Sequence, residues 1–461
     1  MTKFLSSNAV RSAFSSAMAQ MYRKEVPAYG ELQRLVADIN SDALATLPGA
    51  ATLVGASGGI ERLSAERHGA IRVGTAEELR WIRRAFAIMG MHPVGYYDLA
   101  GAGLPVHATA FRPTDPTALA VNPFRIFCSL LRLDRIADTA LRNQAKHILS
   151  RRQIFSAQAM KLIESIEQEG GVREGDLDHF LNAVLATFGW HGRAQVSYAT
   201  YQAFMTAHRL VADIVCFPGP HINHLTPRTL DIDAVQAVMP ARNMPAKAII
   251  EGPPKRACPI LLRQTSFKAL SESVLFPEAD GRLHSGTHTA RFGEVEQRGV
   301  ALTPKGRALY DRLLSDVFEA VTPAPDGSNA EEYGHVLNQI FNQFPDDWSS
   351  LRRGGLAYFD YGPQPHTEVG DSAGAGLEDL IRAGRIVARP ILYEDFLPVS
   401  AAGIFRSNLG DASHSRLVAE EMQAEFEDAL GVPVADPFGL YEMRQAESLR
   451  LCRSTCPELR G

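Results

Sequence analysis

Cysteine is scarce: five residues, Cys128, Cys216, Cys258, Cys452 and Cys456, are scattered over 461 positions. That excludes a disulfide framework, which needs dense, regularly spaced pairs. Cys452 and Cys456 lie close together, but no second close pair accompanies them to complete a zinc site. Long apolar runs are missing too. No stretch approaches the roughly 18 apolar residues of a membrane span, and Met1-Thr-Lys-Phe-Leu-Ser-Ser-Asn8 lacks the apolar segment of a secretory leader. The expectation is a cytoplasmic protein that engages no membrane. An excess of basic charge is absent as well. The net charge of −5 argues against nucleic-acid binding, which uses a basic surface, but leaves room for a local basic pocket for an acidic small molecule. Nothing calls for an obligatory protein partner. Gly55-Ala-Ser-Gly-Gly59 has neither the spacing nor the lysine of a Walker loop and reads as a turn. The His-Glu-x-x-His zinc signature does not occur. A hydrophobic share of 45% and a charged share of 21% are those of a soluble globular chain.

What is present is a recurrence of element order. Helical stripes run over 8–24 (Val10, Phe14, Met18, Met21), behind Ser7 or Asn8 as cap, and over 29–46 (Leu32, Leu35, Val36, Ile39). From His68 the period changes to that of a strand, which ends at Gly74. Thr75 and Glu78 form a capping box for a helix with Leu79, Ile82, Phe86 and Met89 on its buried face. Strands at 94–99, 104–111 and 124–130 complete a β-α-β-β-β module over about 60–131. A helical insertion fills about 132–213. The order then repeats over about 214–300, with strands at 221–226, 246–251, 259–265 and 287–297, a helix at 231–238 ending at Pro240, and a longer connection at 271–286. Thr303-Pro304 starts a helix running to 320, 322–330 is a surface loop, 356–361 and 386–393 are strand-like, and 417–430 is a helix. The expected class is α+β: two β-α-β-β-β modules in one large catalytic unit spanning 1–461, with a C-terminal α/β extension over about 301–461 covering the site.

Candidate chemistry lies in three stretches. In Gly219-Pro220-His221-Ile222-Asn223-His224, prolines preclude a helix interior, and alternation in an extended chain sends His221 and His224 to opposite faces. They cannot grip one metal together, so His221 is expected to be structural. His68 and Arg72 share a face, and the arginine fork suits a carboxylate. Glu294 and Glu296 share a face with Phe292. They lie about 7 Å apart along a strand, so one ion takes only one, and the other pairs with Arg291 or Arg298. Two imidazoles and one carboxylate suit a non-haem Fe(II) oxygenase. The same donors on zinc or manganese suit a hydrolase or isomerase acting on a small dicarboxylic acid. A binding module for an acidic metabolite would need Arg72 but no three-ligand site.

Four segments bear a more specific likeness: His68-Gly-Ala-Ile-Arg72, Pro220-His-Ile-Asn-His224-Leu-Thr-Pro-Arg228, Leu262-Arg-Gln-Thr-Ser-Phe267 and Arg291-Phe-Gly-Glu-Val-Glu-Gln-Arg298 with its continuation to Arg307. Together they resemble the bacterial 2-oxoadipate dioxygenase/decarboxylase family, the D-2-hydroxyglutarate synthases of lysine breakdown, over nearly the whole chain. The resemblance implies a vicinal-oxygen-chelate-like β-barrel core and an Fe(II) cofactor held by His68, His224 and Glu294. Glu294 is preferred to Glu296 because it sits nearer the strand's middle and farther from Arg298. The resemblance further implies that Arg72 receives the substrate carboxylate, and that Gln264, Val399 and Ser400 line the substrate pocket. The implied reaction follows hydroxymandelate synthase, a relative by fold: a 2-oxo dicarboxylate and O₂ give CO₂ and a 2-hydroxy acid, without a separate cosubstrate.

Overall fold

The computed structural model describes residues 3–455 except 48, 57, 268–269, 325, 365–375 and 398–415. The chain forms a mixed α+β fold around a five-stranded mixed sheet. Its strands are β1 (Arg67–Val73), β2 (His92–Asp98), β3 (Val106–Arg112), β4 (Arg125–Leu131) and β5 (His224–Pro227), in the order β2-β3-β4-β1-β5. β1 runs parallel to β4 and antiparallel to β5. Parallel neighbours need a crossover, and the helix Ala76–Ile88 between β1 and β2 begins it. Thr75 caps that helix by accepting from the Glu78 amide at 3.2 Å. The expected box is only half closed: the Glu78 carboxylate turns to the Gly74 amide and to Arg152.

Alternation along β1 and β5 sorts the two faces. Ile71, Val73, Ile126, Cys128 and Leu225 pack with the helices Ser7–Glu25 and Ala76–Ile88 in one core. Ala70, Phe127 and Leu131 look the other way, into a second core with Val211, Ala212, Phe217, Phe276 and Phe396. His68, Ala70 and Arg72 share that second face, opposite Thr226 and His224 on β5. The helical insertion, with helices at Thr139–Ser150, Ala157–Glu169, Leu177–Leu185, Tyr198–Ala207 and Arg209–Val215, contributes to both cores.

The second half departs from the β-α-β-β-β order expected of it: a strand, a helix and four further strands follow one another. After β5 comes the helix Ile232–Val238, which runs on into a 3₁₀ turn Met239–Arg242 through Pro240 rather than ending there. Of the strand expected at 246–251, only two isolated bridges form, Ala246 to Phe267 and Glu251 to Gln264. Pro245 before it and Gly252-Pro253-Pro254 after it cannot sustain a longer ladder. β6 (Leu262–Ser266) pairs antiparallel with β9 (Glu294–Arg298), and Arg228, just beyond β5, bridges to Glu296 in parallel. The expected connection at 271–286 is instead most of a hairpin, β7 (Glu272–Pro277) with β8 (Leu283–His288). The single strand expected at 287–297 is therefore two, broken over residues 289–293. There Arg291 turns to Glu25 and Glu272, and Gly293 passes under the Phe267 ring. The strand expected at 221–226 begins only at His224. β10 (Phe359–Pro363) and β11 (Ile386–Pro390) form a C-terminal ribbon, followed by the helices Arg416–Leu430 and Pro437–Thr455, the last unforeseen in the sequence. Among the described residues no helix is long and apolar enough to cross a membrane.

Candidate metal centre

Three strands bring three donors together. His68 (β1) and His224 (β5) are diagonal neighbours across the antiparallel pair, since His68 opposes Thr226 and His224 opposes Ala70. Their rings meet edge to face at 5.4 Å between centroids. Glu294, first residue of β9, places Oε2 3.3 Å from His68 Nε2 and 3.6 Å from His224 Nε2. Donors about 2.1 Å from one ion and roughly 90–120° apart lie about 3.0–3.6 Å from each other, so the spacing fits a shared ion. All three residues are buried. No nitrogen of either ring makes a hydrogen bond of proper geometry, whereas buried polar groups are almost always satisfied. The donor set fits a divalent cation open on its remaining side.

The neighbours orient the donors. Thr226 Oγ1 and Gln264 Nε2 both donate to Glu294 Oε2, at 2.9 and 3.0 Å. Glu296 faces the other side of the His68 ring, Oε2 lying 3.0 Å from Nδ1, and Arg298 grips it through two bonds at 2.8 and 2.9 Å. A carboxylate behind a ligating histidine fixes the ring's orientation and tautomer. The geometry thus separates the two glutamates: Glu294 faces both histidines, and Glu296 is committed to Arg298 and to the far edge of His68. The Phe396 ring packs against His68 at 4.8 Å and Phe292 against His224 at 4.8 Å, which keeps water from those edges.

Electrostatics follow the same division. Burial pushes the His224 imidazole down to about 4, so it is neutral and able to ligate near pH 7. Burial would lower His68 as well, but Glu296 and Glu294 outweigh it and hold the ring above its ordinary value. Burial would raise Glu296, yet Arg298 and His68 hold it at about 2. Glu294 is also held below its ordinary value, against burial, by His224 and His68.

Arg72 does share the His68 face, and its Nη1 reaches Asp213 Oδ2 at 2.6 Å. Gln264 lies beside Glu294, donating through Nε2 to Oε2. His221 does not join this set but reaches Asp213 Oδ1 at 3.2 Å; because β5 begins only at His224, with Ile222 and Leu225 in the same core, the expected alternation from His221 to His224 does not hold. Val399 and Ser400 lie outside the described residues. Sequence reasoning missed Asp213, Thr226 and Phe396. Only Asp213 carried a signal, as a lone carboxylate in the apolar run Leu210-Val-Ala-Asp-Ile-Val215.

Comparison with known proteins places the chain in a family. The family model described as 2-oxoadipate dioxygenase/decarboxylase matches residues 14–408. The chain belongs to the 2-oxoadipate dioxygenase/decarboxylase family. A Pseudomonas putida family member, the 2-oxoadipate dioxygenase/decarboxylase of strain KT2440, is 52% identical over 452 residues, covering 97% of each chain. A second, from Escherichia coli K12, is 51% identical over 455 residues, covering 98% of this chain and 99% of its own. Among solved structures of the family, the hydroxyglutarate synthase from Pseudomonas putida in complex with 2-oxoadipate superposes with a TM-score of 0.91 at 50% identity, covering all of both chains.

Proposed function

We propose that this chain is an Fe(II)-dependent dioxygenase/decarboxylase that converts 2-oxoadipate and O₂ to D-2-hydroxyglutarate and CO₂. The observation that carries the reading is the buried His68–His224–Glu294 set, with both Nε2 atoms turned to the Glu294 carboxylate, in a chain of this family. His68, His224 and Glu294 would hold the ion on one side. When bound there, Fe(II) supplies a chelation site for a 2-oxo acid and the redox chemistry with O₂. The substrate's own 2-oxo acid group supplies the electrons, so no second oxo acid is consumed.

The chain's part is placement and exclusion of water. Thr226 and Gln264 hold the Glu294 carboxylate, and Glu296 holds the His68 ring. Gln264 Oε1, buried and without a partner, is an acceptor turned to the same region. Arg72, on the site face of β1, would receive the distal carboxylate, so that a dicarboxylate is preferred to a monocarboxylate. Val399 and Ser400 would contribute further substrate contacts. We also read the two halves, joined through β1–β5 and the Arg228–Glu296 bridge, as modules of a vicinal-oxygen-chelate-like barrel, with the C-terminal part covering the site.

The test is anaerobic loading with Fe(II), then addition of 2-oxoadipate and O₂. One O₂ consumed and one CO₂ released per 2-hydroxyglutarate, identified by mass spectrometry, is the expected result. Product formed without O₂ would sink the oxygenase reading and leave a metal-dependent hydrolase or isomerase.

A further inference from the structure

A second buried group lies beside this site. Asp213, on the helix Arg209–Val215, has three partners. Its Oδ2 accepts from Arg72 Nη1 at 2.6 Å, and its Oδ1 lies 2.9 Å from His288 Nε2 and 3.2 Å from His221 Nε2. His288 Nδ1 in turn meets the Tyr201 hydroxyl at 3.0 Å. Trp190 stands edge-on to His221 and stacks on His288, and the Phe217 ring lies 4.7 Å from His288. Asp213, His221 and His288 are all buried. A buried carboxylate is costly unless compensated. Here His221 and Arg72 outweigh the opposing effect of burial and hold the Asp213 carboxyl well below its usual range.

Two imidazoles and a carboxylate could ligate a cation. The same carboxylate, however, already carries the Arg72 guanidinium, and a divalent ion would put like charges side by side. The guanidinium offers five N–H donors in a rigid fork. Among the described residues only Nη1 is engaged, so the rest of the fork is open to a second carboxylate.

We propose that Asp213, tied down by His288 and faced by His221, is a positioning residue. It fixes one edge of Arg72 so that the other edge meets the distal carboxylate of a 2-oxo dicarboxylate whose oxo-acid end sits at His68, His224 and Glu294. This rests on the reading of Arg72 and of the metal set proposed above. An arginine already held at one edge has less rotamer freedom to lose when substrate arrives. Asp213 cannot swing away with the guanidinium, because its other oxygen is held. The helical insertion thereby supplies a specificity element to a site otherwise built from strands of two sheets.

Asp213→Asn keeps the shape and removes the charge, and His288→Gln weakens the anchor alone. Wild type, both variants, Arg72→Ala and the Arg72→Ala/Asp213→Asn double variant are compared by metal content and by O₂ uptake. The substrates are 2-oxoadipate and 2-oxohexanoate, which lacks the distal carboxylate. In Asp213→Asn the KM for 2-oxoadipate should rise about 10- to 100-fold, with kcat changed far less, 2-oxohexanoate kinetics unchanged and metal stoichiometry intact. The double variant should be no worse than Arg72→Ala, because Asp213 acts only through that arginine. His288→Gln should shift KM in the same direction by a smaller factor, and it decides the matter if Asp213→Asn does not fold. Additive losses in the double variant, or equal losses on both substrates, would overturn the proposal. So would a lower KM in Asp213→Asn, which would make Asp213 a competitor for Arg72, or loss of a second ion per chain. If wild type takes up no O₂ with 2-oxoadipate, the proposed function fails by itself. Calorimetric titration of 2-oxoadipate then reads the positioning role: weaker binding to Asp213→Asn supports it, and equal binding overturns it.

Discussion

Glu294 and Glu296 are two residues apart on one strand face, and their partners divide the work between them. Glu294 Oε2 faces two imidazoles, and Glu296 is clamped by Arg298. Glu294→Ala should therefore abolish stoichiometric metal binding and turnover, while Glu296→Gln should retain the ion at reduced affinity, by about 10- to 100-fold as for other lost orienting partners. Metal analysis after dialysis checks both, and the reverse outcome would exchange their roles. His221→Asn should keep the ion, since that ring pairs with Asp213; metal loss there would make His221 part of the metal set. Arg72 concerns the substrate instead. Truncating a desolvated Arg–carboxylate contact costs on the order of 2–5 kcal/mol. Arg72→Ala should accordingly lose roughly 30-fold to several thousandfold in kcat/KM on 2-oxoadipate and keep its metal. Arg72→Lys should recover only part, because a point charge replaces a fork. Equal losses on 2-oxohexanoate would show that Arg72 supports the fold rather than the choice of substrate.

Among the elements, β9 and the residues leading into it are the most constrained. A Cβ at Gly293 would come within 1.9 Å of the Phe267 ring, so any side chain there must displace either the ring or the start of β9, where Glu294 sits. Gly293→Ala should cost about 1–3 kcal/mol through overpacking and lower metal occupancy as well. Gly101→Ala, where nothing lies within 4 Å of the added carbon, is the control and should change neither. Denaturant titration with metal analysis reads both, and full occupancy in Gly293→Ala would show that β9 adjusts without moving its carboxylate. The break between β8 and β9 was illegible from periodicity. Residues 287–297 alternate plausibly enough for one strand, and only the Arg291 contacts to Glu25 and Glu272 and the packing of Phe267 interrupt it. The interrupting groups come from distant parts of the chain, so no local pattern could announce them.

Across the whole molecule, a buried ionic network joins the sheet to the C-terminal part behind His68. Glu66 accepts from Arg125 and Arg228 at 2.9 and 2.8 Å. Glu394 accepts from Arg62 at 2.6 Å and from Arg125. Glu296 takes Arg298. Removing one member of such a buried set leaves opposite charges uncompensated and costs about 3–5 kcal/mol. Glu394→Ala should lose that much in denaturant unfolding, and a loss under about 1 kcal/mol would mean that water compensates the arginines. The same network contributes to the response to acid. Burial raises Glu296 and Glu394, but their arginines outweigh it and hold both at about 2. The unfolded chain therefore binds protons that the folded chain does not between about pH 4.5 and 2. Stability from these groups is complete above about pH 4.5 and is lost as the pH falls through about 2. Glu394→Gln should flatten that part of the stability–pH curve, and an unchanged slope would place the acid sensitivity elsewhere.

The sequence by itself determined two of the faces, His68 with Arg72 and Glu294 with Glu296, but not that of His221, which precedes the start of β5. Two-residue alternation is a local property of an extended chain and survives any tertiary arrangement. It also determined most helices, through stripes and caps, and the family, through four motifs. Tertiary structure alone decided that β1, β5 and β9 converge. Which strands pair depends on what each face can bury, and only that pairing brings the two imidazoles and Glu294 to one point. It also decided that Asp213, from an insertion with no motif of its own, meets Arg72. A buried charge finds its partner in space, at a separation of 141 residues that no periodicity spans.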